Sequence, residues 1–177
     1  IISRPDWFAL PDQASLVRSA LAIAVLAIGH LLGLPWLINP LLGGLTALAV
    51  YYLALALHGA RTARVASLLA AFSPFILFMS AEYMNHATGL LFTTLFALNF
   101  VKADRDRSLG RAVLAGASMG MVFLTRPYSA AVIGVPFVVY GLWRWPRDVK
   151  GYLRSYVTMG IVFACFVGIQ LWFNNAT

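Results

Sequence analysis

The chain has 177 residues, of which 61% are hydrophobic and 11% are charged, and its mean hydropathy is +0.82. A soluble domain carries about 25% charged residues, so these values exclude an ordinary soluble protein, and they equally exclude a disordered one. The net charge of +7 does not indicate nucleic-acid binding, because the basic residues lie in short connections between apolar runs and no nucleic-acid-binding motif accompanies them.

The composition predicts an all-α fold, a polytopic transmembrane bundle of six to seven helices that forms a single domain over residues 1–177. No initiator Met and no signal peptide stand at the start, and we expect the chain to be an internal fragment of a longer protein. The predicted helices are, in chain order, 16–34, 41–57, 65–79, 87–101, 109–125, 128–143 and 152–173.

Prolines, glycines and charges modify this pattern locally. The first segment, 16–34, contains Arg18 and His30, so it either spans the membrane or lies on its surface as a juxtamembrane helix. Residues 33–40 contain two prolines and are predicted to form a turn. The third helix contains Pro74 and is predicted to be kinked there.

Further along the chain, the dipeptide His58-Gly59 predicts a helix stop. The fifth helix carries a GxxxG packing face at Gly116 and Gly120. Cys165 lies within an apolar run, so the sequence offers no disulfide partner and no thiolate metal site.

Basic residues occupy alternate connections between the predicted helices. The connections near 61–64, 102–111 and 144–154 are rich in arginine and lysine, whereas those around Trp36, Glu82 and Arg126 together hold a single arginine or lysine. The positive-inside rule places the basic set in the cytoplasm. The outer face would then carry Glu82, Asn85, His86 and Arg126.

Glu82 and His86 are four residues apart, so a continuous helix would place them on one face. They could act as a general base with its orienting partner or as two ligands of a divalent metal. A solvated loop that carries both side chains explains the same residues. Asn85 either caps the next helix or lines the same site.

Arg126 is the basic residue of the outer connections, and Pro127 follows it directly. A guanidinium is always charged and presents a planar fork of donors, which suits a phosphate. The alternative is an interfacial arginine that reaches lipid headgroups. Tyr83 and Tyr128 either add hydroxyl donors or belong to an aromatic belt.

Four stretches resemble the bacterial family-39 glycosyltransferases, a C-type glycosyltransferase-like group that includes protein O-mannosyltransferases and the lipid A aminoarabinose transferase. These stretches are Gly33–Gly43, Ser73–Phe75, Met79–His86 and Phe123–Tyr128. The resemblance implies transfer of a sugar from a polyprenyl-phosphate donor to an acceptor hydroxyl at the outer face of a bacterial inner membrane. It leaves the sugar, the acceptor and the need for a divalent metal open.

The same resemblance suggests roles for residues of this chain. Arg126 and Tyr128 would bind the donor phosphate, Glu82 and His86 would be catalytic, and the cavity lining would include Tyr83 and Asn85. The main catalytic carboxylates of the family lie further upstream, so the chain alone is expected to be inactive. Asp6 and Asp12 lie near the end of that loop but in no recognisable motif.

Two other classes of protein fit parts of the pattern. A transporter or flippase subunit could use Glu82 and His86 as an intramembrane proton relay. Transporters often contain internal repeats, and none is visible in this sequence. A non-catalytic assembly subunit would be favoured if the outer polar groups were dispersed.

Overall fold

The computed structural model describes residues 31, 33–81, 86–144 and 149–176. The described residues form helices without any strand, which confirms the all-α prediction. In chain order the helices are α1 (Pro35–His58), α2 (Ala60–Ala71), α3 (Pro74–Ala81), α4 (His86–Asp106), α5 (Leu109–Thr125), α6 (Pro127–Arg144) and α7 (Val149–Ala176).

The predicted turn over 33–40 is wrong, because α1 already begins at Pro35. The first N–H groups of a helix have no intrahelical partner, so a proline at that position costs no hydrogen bond and its fixed φ suits the helix. Pro40 lies inside α1 and removes one hydrogen bond without ending the helix. The helix stops at His58 as predicted, and Gly59 (φ +92°) lets the chain turn directly into α2.

The predicted single kinked helix over 65–79 is instead two helices. Residues Phe72 and Ser73 separate α2 from α3, and the two axes differ in direction by 48°. Pro74 is the first residue of α3 rather than an interior kink. A proline disfavours helical conformation in the residue before it, which explains why the break falls at Ser73.

The core lies between α4, α5, α6 and α7. Phe96 and Phe100 of α4 are buried, and each packs edge-on against Phe137 of α6 with ring centroids 4.8 Å apart. Gly116 is in close contact with α7, since a Cβ there would lie 2.6 Å from the Met159 carbonyl oxygen.

The second glycine of the motif is packed in the same way. A Cβ at Gly120 would lie 2.6 Å from Cδ2 of Phe166, which also belongs to α7. The GxxxG packing face is therefore confirmed, and its partner is α7. Such glycines allow two helix backbones to approach closely within a bilayer.

The basic residues gather at one end of the bundle. Lys102 Nζ lies 5.9 Å from the centre of the Tyr52 ring, and Arg105 Nη1 donates to the Ala56 carbonyl oxygen at 3.4 Å. The carboxyl ends of α1 and α4 are thus neighbours. We call this the basic end, and the cationic side chains that the structure describes there are Arg61, Arg64, Lys102, Arg105, Arg107, Arg111 and Arg154.

Two of the predicted basic loops are largely helical. Arg61 and Arg64 lie on α2, and the charged run from 102 onward continues α4 to Asp106. The connection to α5 is only Arg107 and Ser108, with Arg107 at φ +53°. A drop in hydropathy indicates where a helix leaves the hydrocarbon region of the membrane. The helix can continue beyond that point with charged side chains, so the charged residues do not mark the ends of α2 and α4.

Within the described ranges, α1 and α7 are long and apolar enough to cross a membrane, and α2 with α3 would make a third, bent span. Helices α5 and α6 are apolar but shorter. Large apolar side chains are exposed along these helices, as at Phe75, Val132 and Trp172. An exposed apolar surface of this extent suits lipid rather than water. The segment 16–34 lies almost entirely outside the described residues.

Candidate functional site

His86 and Arg126 meet at the end of the bundle opposite the basic end. His86 is the first residue of α4, and Arg126 stands between α5 and α6. The Arg126 N–H donates to the Val122 carbonyl oxygen at 2.8 Å, and the Arg126 carbonyl accepts from the Ala130 N–H at 3.1 Å. Arg126 therefore closes one helix and opens the next, which fixes the base of its side chain.

The side chains of the pair are in hydrogen-bonding contact, with Arg126 Nη2 3.0 Å from His86 Nε2. A guanidinium can only donate, so Nε2 of His86 must accept and its imidazole must be neutral with its proton on Nδ1. Both side chains are half-buried. The contact therefore holds one positive charge in a defined position at this end of the bundle.

This arrangement does not suit a divalent metal at Nε2 of His86. The lone pair that would bind the metal already accepts from Arg126, and the adjacent guanidinium would repel a dication. No group of three or more His, Cys, Asp or Glu side chains that could hold a metal ion occurs within 33–81, 86–144 and 149–176.

A cavity of about 220 Å³ opens beside the pair, between α3, α4, α5 and α6. His86 and Arg126 are part of its wall. Among the described lining residues, Thr93 and Ser129 also carry polar side-chain atoms, and most of the remaining surface is apolar. Its walls include Phe75, Met79, Gly89, Leu90, Val122 and Ile133. The cavity is therefore amphipathic, with a cation on one side and hydrocarbon around the rest.

Of the site residues predicted from the sequence, the structure brings His86 and Arg126 together and leaves Tyr128 apart from them. Tyr128 lies in the first turn of α6 and is 90% exposed, and it does not line the cavity. Glu82, Tyr83 and Asn85 lie outside the described residues, so their roles stay predictions.

Sequence reasoning missed the cavity-lining residues below the pair. Gly89 and Thr93 follow His86 by three and seven residues, and Ser129 follows Arg126 by three. Residues three, four and seven apart share one face of a helix. Following that spacing from either polar residue would have found them.

A second cavity of about 610 Å³ lies between α4, α5, α6 and α7. Its walls include Phe96, Phe123, Gly134, Gly160 and Phe163, and its surface is almost wholly apolar. Among its lining residues there is no charged side chain. This larger cavity suits hydrocarbon, and its lining residues offer no cation to a phosphate.

A family model described as dolichyl-phosphate-mannose-protein mannosyltransferase matches residues 20–172, which include both His86 and Arg126. No curated protein and no solved structure shows significant similarity to the chain. The match gives no support to the transporter or flippase interpretation.

Proposed function

We propose that this chain, which belongs to the dolichyl-phosphate-mannose-protein mannosyltransferase family, binds the phosphate of a polyprenyl-phosphate-linked sugar at Arg126. The chain is thus part of a membrane-embedded glycosyltransferase family, and the donor and its site are our proposal. The observation that carries the proposal is the hydrogen bond of Arg126 Nη2 to His86 Nε2, beside an amphipathic cavity.

The chemistry of the reaction calls for a cation at this point. An acceptor oxygen attacks the anomeric carbon of the sugar, and the bond from that carbon to the phosphate oxygen breaks. The acceptor proton passes to a base, and the phosphate leaves with the electron pair and one more negative charge. A cation that is already in place stabilises this developing charge without reorganisation, and a guanidinium can contact two phosphate oxygens at once.

We assign His86 to the positioning of Arg126. Its Nε2 accepts from the guanidinium, so that nitrogen is engaged and does not take the acceptor proton in this arrangement. The base is then another group, and Glu82 remains the candidate predicted from the sequence.

His86 and Arg126 lie at the end of the bundle opposite the basic end, which supports an outward-facing site. If the basic end faces the cytoplasm, as the positive-inside rule predicts, His86 and Arg126 face the periplasm or the exterior. A polyprenyl-phosphate sugar presented on the outer leaflet would then reach Arg126 with its phosphate at the level of the interface.

The direct test replaces Arg126 in the full-length protein and measures transfer of labelled mannose from polyprenyl-phosphate mannose in proteoliposomes. We expect Arg126→Ala to lower kcat by about 10²–10³-fold, the loss typical of removing one group that stabilises a developing anion. Arg126→Lys keeps the charge but not the fork and should lose less. The matched control is Arg64→Ala, an exposed arginine at the basic end, which should transfer at the normal rate. Normal transfer by Arg126→Ala would refute the proposal.

A further inference from the structure

We propose that the 220 Å³ cavity beside the His86–Arg126 pair holds the first isoprene units of the donor lipid, and that Gly89 keeps this subsite open. The inference rests on the proposed function, since it takes Arg126 as the phosphate ligand. It goes further by assigning the path of the lipid chain and a residue that controls the path.

The position and direction of the cavity fit the beginning of a lipid chain. It extends along α4 from His86 to Thr93 and along α6 from Arg126 to Ile133. Seven residues of helix correspond to about 10 Å, so the cavity leads from the end of the bundle toward its middle. A lipid phosphate held at Arg126 must send its chain in this direction, while its sugar stays nearer the surface.

The walls of the cavity match the two parts of such a ligand. Arg126 supplies a positive charge for the phosphate, and the apolar side chains below it suit hydrocarbon. A volume of about 220 Å³ is smaller than the roughly 300–1,000 Å³ of a site that encloses a drug-sized ligand. The cavity therefore takes only the beginning of the chain. The remainder would continue past Phe75, which lines the cavity and is 63% exposed on the surface of α3.

Against the residues that the structure describes, Gly89 has no packing role that explains its presence in α4. A Cβ added there would meet no atom within 4 Å, whereas a Cβ at Gly116, Gly120 or Gly141 would lie within 3.0 Å of a neighbouring helix. A glycine inside a helix costs about 1 kcal/mol relative to alanine. Because Gly89 lines the cavity, the missing side chain leaves room for a ligand rather than for another helix.

The larger, uncharged cavity is the competing location for the chain. Its wall contains Gly160, where an added Cβ would also meet no atom within 4 Å. A Cβ can thus be added to the wall of either cavity without a close contact, so a larger side chain at Gly89 or Gly160 would extend into one cavity and not the other. Gly44 of α1 is equally open and lines neither cavity, so it provides a matched control.

The experiment measures binding of a photoreactive farnesyl phosphate to the full-length protein in nanodiscs. The variants are Gly89→Leu, Gly160→Leu, Gly44→Leu and Arg126→Ala, together with the milder Gly89→Ala. We expect Gly89→Leu to weaken binding by about tenfold or more, since two or more buried methylene groups of the probe lose their site. Gly89→Ala should show a smaller loss in the same direction, and Gly160→Leu and Gly44→Leu should bind normally.

Competition by inorganic phosphate and by dioleoyl phosphatidic acid identifies the ligand chemistry. Inorganic phosphate should compete equally with the probe for the wild-type protein and for Gly44→Leu. Dioleoyl phosphatidic acid should compete poorly with the farnesyl phosphate probe. If it competed as well as unlabelled farnesyl phosphate does, the cavity would be a general phospholipid site, and the isoprenoid assignment would be overturned.

The remaining outcomes separate this inference from the proposed function. Normal probe binding by a folded Gly89→Ala or Gly89→Leu, with loss in Arg126→Ala, would overturn the chain subsite and leave the proposed function standing. Loss in Gly160→Leu but not in the Gly89 variants would place the chain in the larger cavity instead. Normal probe binding by Arg126→Ala would refute the proposed function itself.

Discussion

Replacing His86 tests whether the imidazole acts by holding Arg126. A hydrogen bond to a charged group is worth about 1.5–3 kcal/mol, which corresponds to about 10–150-fold at 1.4 kcal/mol per decade. The pair is half-buried and Arg126 has further contacts, so we expect His86→Ala to lie at the lower end, with about a 10–30-fold loss in kcat/KM for transfer. His86→Gln offers an amide oxygen as acceptor and should recover part of this loss.

A double-mutant cycle with Arg126 shows whether His86 acts through Arg126 or independently of it. If His86 acts only through Arg126, then adding His86→Ala to the Arg126→Ala variant causes no further loss in kcat/KM. The readout is kcat/KM for labelled sugar transfer in proteoliposomes, with the folded fraction of each variant checked by size-exclusion chromatography. Losses that multiply in the double variant would show that His86 acts independently, as a proton acceptor would, and would refute the positioning role.

Two further expectations concern packing and orientation. Gly116→Ala should destabilise the fold by about 1–3 kcal/mol more than Gly168→Ala in a detergent unfolding assay, because a Cβ at Gly116 clashes with the α7 backbone whereas one at Gly168 meets nothing within 4 Å; equal stability would contradict the observed contact. In a variant with Cys165 replaced by serine, cysteine at the exposed position Tyr128 should react with an impermeant maleimide from outside the cell, and cysteine at Arg64 should react only after permeabilisation. The reverse result would invert the proposed orientation.

The bounds of a helix could be predicted where charged residues or prolines coincide with the ends of an apolar run. Helix α5 has the predicted bounds, Leu109–Thr125, because a charged connection precedes it and Arg126-Pro127 follows it. The prolines at 35 and 74 were misread for one shared reason. A proline is compatible with the first turn of a helix and disruptive in its interior, and the sequence around 35 and 74 does not show which position it occupies. The answer depends on where neighbouring helices let the chain turn.

The site was only partly predictable for a different physical reason. The alternation of basic connections placed His86 and Arg126 at one end, but a common end does not make a contact across forty residues of sequence. The contact depends on the packing of α4 against α5, and Gly89, Thr93 and Ser129 matter only once that packing creates a cavity. Residue types indicate the chemistry that a site can perform, whereas helix register decides which residues form it.

The short connection between α4 and α5 fixes that register. Because only Arg107 and Ser108 lie outside the two helices, α4 and α5 must run antiparallel. Near the connection, Arg111 Nη1 donates to the Asn99 Oδ1 at 3.3 Å. Residues about equally far from this contact along the two helices then face each other, which brings His86 opposite Arg126 at the far end. The two helices therefore reach the far end of the bundle at the same level. The two-residue turn at the basic end thus sets the register that brings Arg126 to His86 and places both beside the cavity.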